Sequence, residues 1–203
     1  LLSTSGSTGS PRLVRLSTKN IQSNAEAIAT YLEITSSEKP ITTLPMHYSY
    51  GLSVINSHLF RNACILLTPE SVATRGFWTF FREAKATSIA GVPATYEMLR
   101  RLRFERMELP SLRTMTQAGG RLASEQIEWF ARLAQARNQK FIVMYGQTEA
   151  TARISYVPAE QLLEKVGSIG LAIPKGTLSL QSPLGGLIDN AGDVGELVYH
   201  GDN

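Results

Sequence analysis

The sequence predicts an α/β fold, a mainly parallel sheet flanked by helices, on three observations. Short apolar runs alternate with amphipathic stretches for most of the 203 residues. The amphipathic stretches repeat their apolar residues at spacings of three and four, as one buried face of a helix requires. Composition is that of an ordinary globular protein, with 43% hydrophobic and 18% charged residues, which argues against disorder, collagen-like repeats and coiled coil.

Taken in order, residues 13–16 read as a strand, and 21–32 as a helix opened by Ser17 or Thr18 as its N-cap. Strand 41–44 precedes helix 52–60, and strand 64–68 precedes the shorter helix 77–84. Strand 88–92 runs into Pro93, a residue suited to a first helical turn, and helix 94–102 follows. Strand 113–117 leads to the clearest helix, 123–136, with Ile127, Phe130, Leu133 and Ala134 on one face, and strand 141–145 closes the series. Strand, helix, strand, helix in that rhythm is the pattern of a parallel sheet covered on both faces. After Pro174 the texture changes to short strands and tight turns, at Thr177 to Leu180, Gly185-Gly186, Asn190 to Asp193 and Glu196 to Tyr199. The expected organisation is therefore an α/β subdomain over 1–174 and the start of a small β-barrel-like subdomain over 175–203.

Charge excludes some functions. The formal net charge is +3, and the lysines and arginines are scattered apart from Arg100, Arg101, Arg103 and Arg106. A nucleic-acid partner needs a clustered basic face with stacking aromatics, so none is expected. No run reaches the ~18 apolar residues of a membrane-spanning helix. The lone cysteine, Cys64, lies in the apolar run Ala63 to Leu67 and is expected to be a buried, inert thiol. Cytoplasmic residence is compatible with that usage. The chain starts at Leu1 inside an apolar stretch and stops just after a strand, so it reads as a fragment of a longer protein.

The first chemical feature is Ser3-Thr4-Ser5-Gly6-Ser7-Thr8-Gly9-Ser10-Pro11-Arg12. Its hydroxyls, two glycines that let backbone N–H groups converge, and terminal cation suit a polyphosphate. It has neither the P-loop nor the dinucleotide-fold glycine spacing, and a flexible Ser/Gly linker is the bland alternative. The second is Met144-Tyr145-Gly146-Gln147-Thr148-Glu149, at the end of a predicted strand. A hydroxyl beside a carboxylate there suits phosphate and Mg²⁺, although a helix cap would use the same residues.

Together these runs resemble the T-S-G-[ST]-T-G-x-P-K-G phosphate loop and the Y-G-x-T-E motif of the adenylate-forming superfamily, in the expected order. That superfamily includes acyl-CoA synthetases, luciferase and the adenylation domains of nonribosomal peptide synthetases. The match departs at Arg12 and Leu13, where lysine and glycine are usual. Gln117 to Leu122, Gly167 to Pro174 and Gly195-Glu196-Leu197 resemble further family segments, so the likeness runs over essentially the whole chain.

The resemblance implies activation of a carboxylic acid by ATP to an acyl-AMP with release of pyrophosphate. Thioester formation with CoA or a carrier-protein phosphopantetheine then follows. It implies that Thr4, Ser5, Gly6, Ser7, Thr8, Gly9 and Arg12 hold the β- and γ-phosphates. Thr148 contacts the α-phosphate, Glu149 coordinates Mg²⁺, and Tyr145, Gly146, Gln147, Gly119 and Gly120 complete the nucleotide site. Leu44 to Leu52 corresponds to the acid pocket, with His47, Tyr48, Tyr50 and Gly51 as candidates and either His47 or Tyr48 as its gate. Nothing between Pro45 and Ile55 is acidic, so no partner for an α-ammonium is present in this segment. A fatty, aryl or other non-amino acid is expected rather than an amino acid. A peptide-synthetase adenylation domain and a non-catalytic nucleotide-binding homologue are the alternatives. The family's ribose-binding aspartate and catalytic lysine have no match here, so the chain alone is expected to be inactive.

Overall fold

The computed structural model describes residues 1–4 and 12–203. Strands β1 (Leu2–Ser3) and β2 (Leu13–Val14) form an antiparallel pair, with Leu2 opposite Val14 and Ser3 opposite Leu13. This pairing closes the base of the Ser/Gly-rich loop. Helix α1 (Thr18–Tyr31) begins at Ser17, whose hydroxyl accepts from the Asn20 N–H while the Asn20 side chain accepts from the Ser17 N–H. That reciprocal cap satisfies two backbone donors that a helix start otherwise leaves unpaired.

The central layer is a six-stranded sheet in the order β3-β4-β5-β6-β7-β8. Strands β3 (Pro40–Ile41), β4 (Ser88–Gly91), β5 (Thr114–Gln117) and β6 (Lys140–Tyr145) run parallel, linked by helices as the sequence rhythm requires. Strand β7 (Ser155–Val157) adds antiparallel to β6, and β8 (Leu171–Ala172) adds antiparallel to β7; neither was anticipated. They have three and two residues, too few for alternation to register in the sequence.

Residues 64–68 were expected as a full strand and are not one. Leu66 alone bridges to Ile41, donating to Pro40 O at 2.9 Å while its carbonyl accepts from Thr42 N at 2.9 Å. Beyond it the Thr42 hydroxyl accepts from Thr68 N at 3.0 Å, so a side chain takes over from ladder pairing. The expectation for Cys64 is also overturned, since it is exposed. Ala63 takes the buried place at the turn, and Cys64 follows it facing out.

Alternation along the strands divides two packing layers. Ile89, Met115 and Phe141 belong to the core formed with helices α3 (Arg75–Glu83), α4 (Pro93–Arg101) and α5 (Ser124–Ala136), through Phe77, Phe81, Tyr96 and Phe130. Ala90, Ile142 and Met144 belong to the other, with Tyr50 of α2 (Ser49–Leu59). Phe77, Phe81 and Phe130 are each 0% exposed, and burying a side chain of that kind contributes roughly 1.5–3 kcal/mol. The two layers meet at one carbonyl: Thr116 O of β5 accepts from the Tyr50 hydroxyl at 2.8 Å and from the Tyr96 hydroxyl at 2.7 Å. Burial pushes both phenols above their ordinary pKa. After the main sheet, β9 (Thr177–Gln181) and β10 (Glu196–His200) form an antiparallel pair of their own, with Thr177 opposite His200. Among the described residues no helix is long and apolar enough to cross a membrane.

One buried group sets a pH dependence. His58 of α2 is 5% exposed, and its Nδ1 lies 2.7 Å from Val54 O, so Nδ1 carries the hydrogen and donates. Burial lowers its pKa from the ordinary 6.5, against smaller opposing contributions from that bond and from Glu38. Below pH 6.5 the unfolded chain therefore takes up a proton that the folded chain refuses. Thermal unfolding should give a midpoint that falls as pH drops through this value, and His58→Gln should flatten the fall.

Candidate functional site

A cavity of about 810 Å³ opens at the carboxyl ends of β5 and β6. That is where open α/β sheets place their ligands, because helices and loops diverge there. Its walls come from four parts of the sequence brought together by the fold.

The first wall is the base of the Ser/Gly-rich loop. Thr4 and Arg12 line the cavity. They are locked to each other, with Thr4 N donating to Arg12 O at 2.9 Å and Arg12 N donating to the Thr4 hydroxyl at 3.2 Å. Ser5, Gly6, Ser7, Thr8 and Gly9 lie outside the described residues. Across from this base stands the end of β6. Tyr145, Gly146, Gln147, Thr148 and Glu149 all line the cavity, with the Gln147 amide donating to the Tyr145 hydroxyl at 3.2 Å. The Thr148 and Ser49 hydroxyls sit 3.3 Å apart, so α2 presents a second hydroxyl beside the first. Glu149 is exposed and forms no ion pair among the described residues.

The third wall is the turn after β5, where Gly119 and Gly120 line the cavity and the Gln117 amide donates to Gly120 O at 2.9 Å. Gly119 has φ +77°, and a Cβ there would lie 2.4 Å from the Tyr48 hydroxyl. The positive φ favours glycine, and a side chain there would also displace the Tyr48 hydroxyl from the wall. The fourth wall is the start of α2, with Tyr48 and Tyr50 lining the cavity. His47 is exposed and is not on the wall. Gly51 is also absent from the wall; it is buried because a Cβ there would meet Pro45 O at 2.2 Å. The structure therefore brings Tyr48, rather than His47, to the cavity.

The residues present fit a nucleoside triphosphate with a divalent cation. Hydroxyls, glycine turns and Arg12 offer donors for phosphate, and Glu149 offers one free carboxylate. No cluster of three or more metal-ligating side chains occurs among the described residues. Mg²⁺ fits that limited supply, since it binds through one or two carboxylates together with substrate phosphates and water.

Sequence reasoning held Ser49 and Gln117 only as members of longer pocket segments, and it missed Arg153. Arg153 is 2% exposed yet lines the cavity, with its guanidinium 3.9 Å from the centre of the Tyr50 ring. A signal was available in Arg153-Ile154-Ser155-Tyr156-Val157, where a cation opens a strand-like run. The chain reaches Arg153 through a sharp return. Thr151 has φ +60° and Ala152 φ +139°, and Ile154 N then donates to Tyr145 O at 2.9 Å. At Gly146 a Cβ would fall 1.7 Å from Ala152 O, so the return closes only over glycine.

A family model described as AMP-binding enzyme matches residues 1–203. Indoleacetate–CoA ligase of Aromatoleum aromaticum is 30% identical over 202 residues, covering 98% of this chain and 38% of that protein. Feruloyl-CoA synthase of an Amycolatopsis species is 24% identical over 204 residues, covering 100% of this chain and 40% of its own. The chain thus spans well under half the length of these relatives. Among solved structures, the N-terminal domain of FACL13 from Mycobacterium tuberculosis superposes with a TM-score of 0.87 at 23% identity, over 99% of this chain and 49% of that one. O-succinylbenzoate coenzyme A synthetase (MenE) from Bacillus subtilis, solved with ATP and magnesium ion, gives 0.86 at 22% identity, over 100% of this chain and 41% of that one. These two share the fold.

Replacing Gly146 by alanine should force Ala152 and the Thr148–Glu149 turn apart, at about 1–3 kcal/mol for such overpacking. The expected result is a lower unfolding midpoint. An unchanged midpoint would contradict the close return.

Proposed function

We propose, given that this chain belongs to the AMP-binding enzyme family, that its site activates a non-amino carboxylic acid with ATP and passes the acyl group to CoA. The observation that carries this reading is the convergence of Thr4, Arg12, Thr148 and Glu149 on one cavity that also holds an aromatic pocket at Tyr48 and Tyr50. The named CoA ligases among the relatives support the same chemistry. A carrier-protein phosphopantetheine is the other acceptor the chemistry allows.

In the first step a carboxylate oxygen attacks the α-phosphorus of ATP and the bond to pyrophosphate breaks. In the second, a thiol attacks the acyl carbonyl and AMP leaves. Neither step needs a side-chain nucleophile; the protein's part is positioning and charge stabilisation. Thr4 and Arg12, with the loop they close, hold the β- and γ-phosphates. The Thr148 hydroxyl, supported by Ser49, donates to the α-phosphate. Glu149 would hold Mg²⁺, which when bound would supply positive charge to offset that of the phosphates. Tyr145 and the Gly119-Gly120 turn hold the adenine side, and Tyr48 gates the acid.

We assign residues 1–174 to the ATP- and acid-binding subdomain and 175–203 to the start of a second, β-rich one. A lysine-bearing C-terminal domain would complete the enzyme, and this chain by itself should turn over little or no substrate.

The test is acid-dependent pyrophosphate release by the full-length protein with fatty, aryl and amino acids. Release should require a non-amino acid and fall on the order of 10²-fold in Glu149→Gln, the scale for removing one group that stabilises developing charge. Binding of ATP without release under any acid would instead mark a non-catalytic homologue. In the same assay Tyr48→Ala should raise the KM for the acid several-fold, while His47→Ala should leave it within about twofold, as expected of a residue off the cavity wall.

A further inference from the structure

Arg153 is a buried cation for which no acidic partner exists among the described residues. It forms none of the ion pairs found there. Among the described residues its Nε has no hydrogen-bond partner, a terminal nitrogen donates to Ala152 O at 3.4 Å, and its one other polar side-chain neighbour is the neutral Tyr31 hydroxyl. Burying a guanidinium without a counter-charge is costly, and one stacked on a single tyrosine ring is offset only in part.

The surrounding structure nevertheless holds it in place. Arg153 O accepts from the side-chain amides of Asn24 at 3.1 Å and Asn203 at 3.0 Å, from opposite ends of the chain. The Tyr50 ring beneath the guanidinium is itself fixed by its bond to Thr116 O. Buried polar atoms without partners gather beside it in sequence and space: Asn24 Oδ1, Thr151 Oγ1 and Ser155 Oγ. A supported donor with unused hydrogen-bonding capacity, facing a cavity, is the arrangement of a recognition site.

Its depth separates it from the phosphate-binding residues. Gln147 and Glu149 are exposed at the rim, whereas Arg153 is buried and also borders a second, smaller pocket behind the first. That second pocket is lined in part by Ser53, Ser57, His58 and Thr116, and by Glu38, whose carboxylate is already paired with Arg113 at 3.5 Å. An acid whose reacting carboxylate lies at the rim would direct its far end toward Arg153.

We propose that Arg153 is a specificity-determining residue that pairs with a second carboxylate at the far end of the acid, so that the substrate class is dicarboxylic acids. This rests on the reading of the cavity as an acid-activating site. A neutral acceptor would leave the buried charge uncompensated, whereas a carboxylate can take two parallel bonds from the guanidinium fork.

The test compares matched acids of equal length in the full-length protein: hexanedioate against hexanoate, and terephthalate against 4-methylbenzoate. Two readouts are taken, calorimetric binding of the acid and kcat/KM for pyrophosphate release. Wild type should favour the better-fitting diacid over its monoacid by on the order of 10² or more, as sites built to bond a polar group reject analogues lacking it. Arg153→Met should erase or reverse that preference, and Arg153→Lys should restore part of it. Equal treatment of both acids by wild type, or a preference for monoacids, would overturn the proposal without touching acid activation. A loss in Arg153→Met that is the same for diacid and monoacid would also overturn it, placing the arginine on the reacting carboxylate or in the framework. Arg153-dependent diacid binding with no pyrophosphate release would uphold the recognition site and overturn the activation reading instead.

Discussion

Much of the site depends on one close backbone approach, the passage of Ala152 O over Gly146. No other residue type leaves room for it, and its consequence is geometric. The chain leaves β6, exposes Thr148 and Glu149 in a single tight turn, and returns antiparallel as β7 within a few residues. The same return turns Arg153 inward under the rim. One backbone reversal therefore places a phosphate-type hydroxyl, a metal-type carboxylate and a buried cation around a single cavity.

The rest of the fold serves to make that cavity rigid. Two layers pack on opposite faces of the sheet, and their tyrosines converge on Thr116 O in the strand next to β6. Helix α2 links the layers to the chemistry. Its first turn supplies Ser49 to Thr148, and its Tyr50 supplies both an anchor in β5 and a platform for Arg153. The β1–β2 pair does for the phosphate loop what the glycine return does for the opposite wall, fixing Thr4 and Arg12 to each other. The tail contributes as well, since Tyr199 donates to Asn203 Oδ1 at 2.6 Å while the Asn203 amide reaches Ala150 O and Arg153 O.

The parallel core of the sheet and the five α-helices of the described residues were legible in the sequence, because the helices carry a stripe at helical spacing and the strands are short apolar or β-prone runs set between them. What escaped were features fixed by tertiary contacts. Strands β7 and β8 are too short for alternation to register, and 64–68 lost its ladder to the Thr42 side chain. Cys64 sits in an apolar run, yet its neighbour Ala63 took the one inward position. In the site, motif spacing found the residues of the β6 end and the Gly119-Gly120 turn. It left His47 and Tyr48 undecided, because adjacent residues differ only in which way a loop turns them. Arg153 carries no motif at all; its significance lies in burial without a counter-charge, which only the packed structure reveals.

The cavity is proposed to join an acid to the α-phosphorus of ATP. Oxygen-18 in both carboxylate oxygens of the acid tests it most directly, with AMP and inorganic phosphates from a completed reaction analysed by mass spectrometry. If the carboxylate attacks the α-phosphorus, the later departure of AMP carries one labelled oxygen away with it, and pyrophosphate stays unlabelled. Label in inorganic phosphate, with ADP formed in place of AMP, would mean attack at the terminal phosphorus and would contradict acyl-AMP formation.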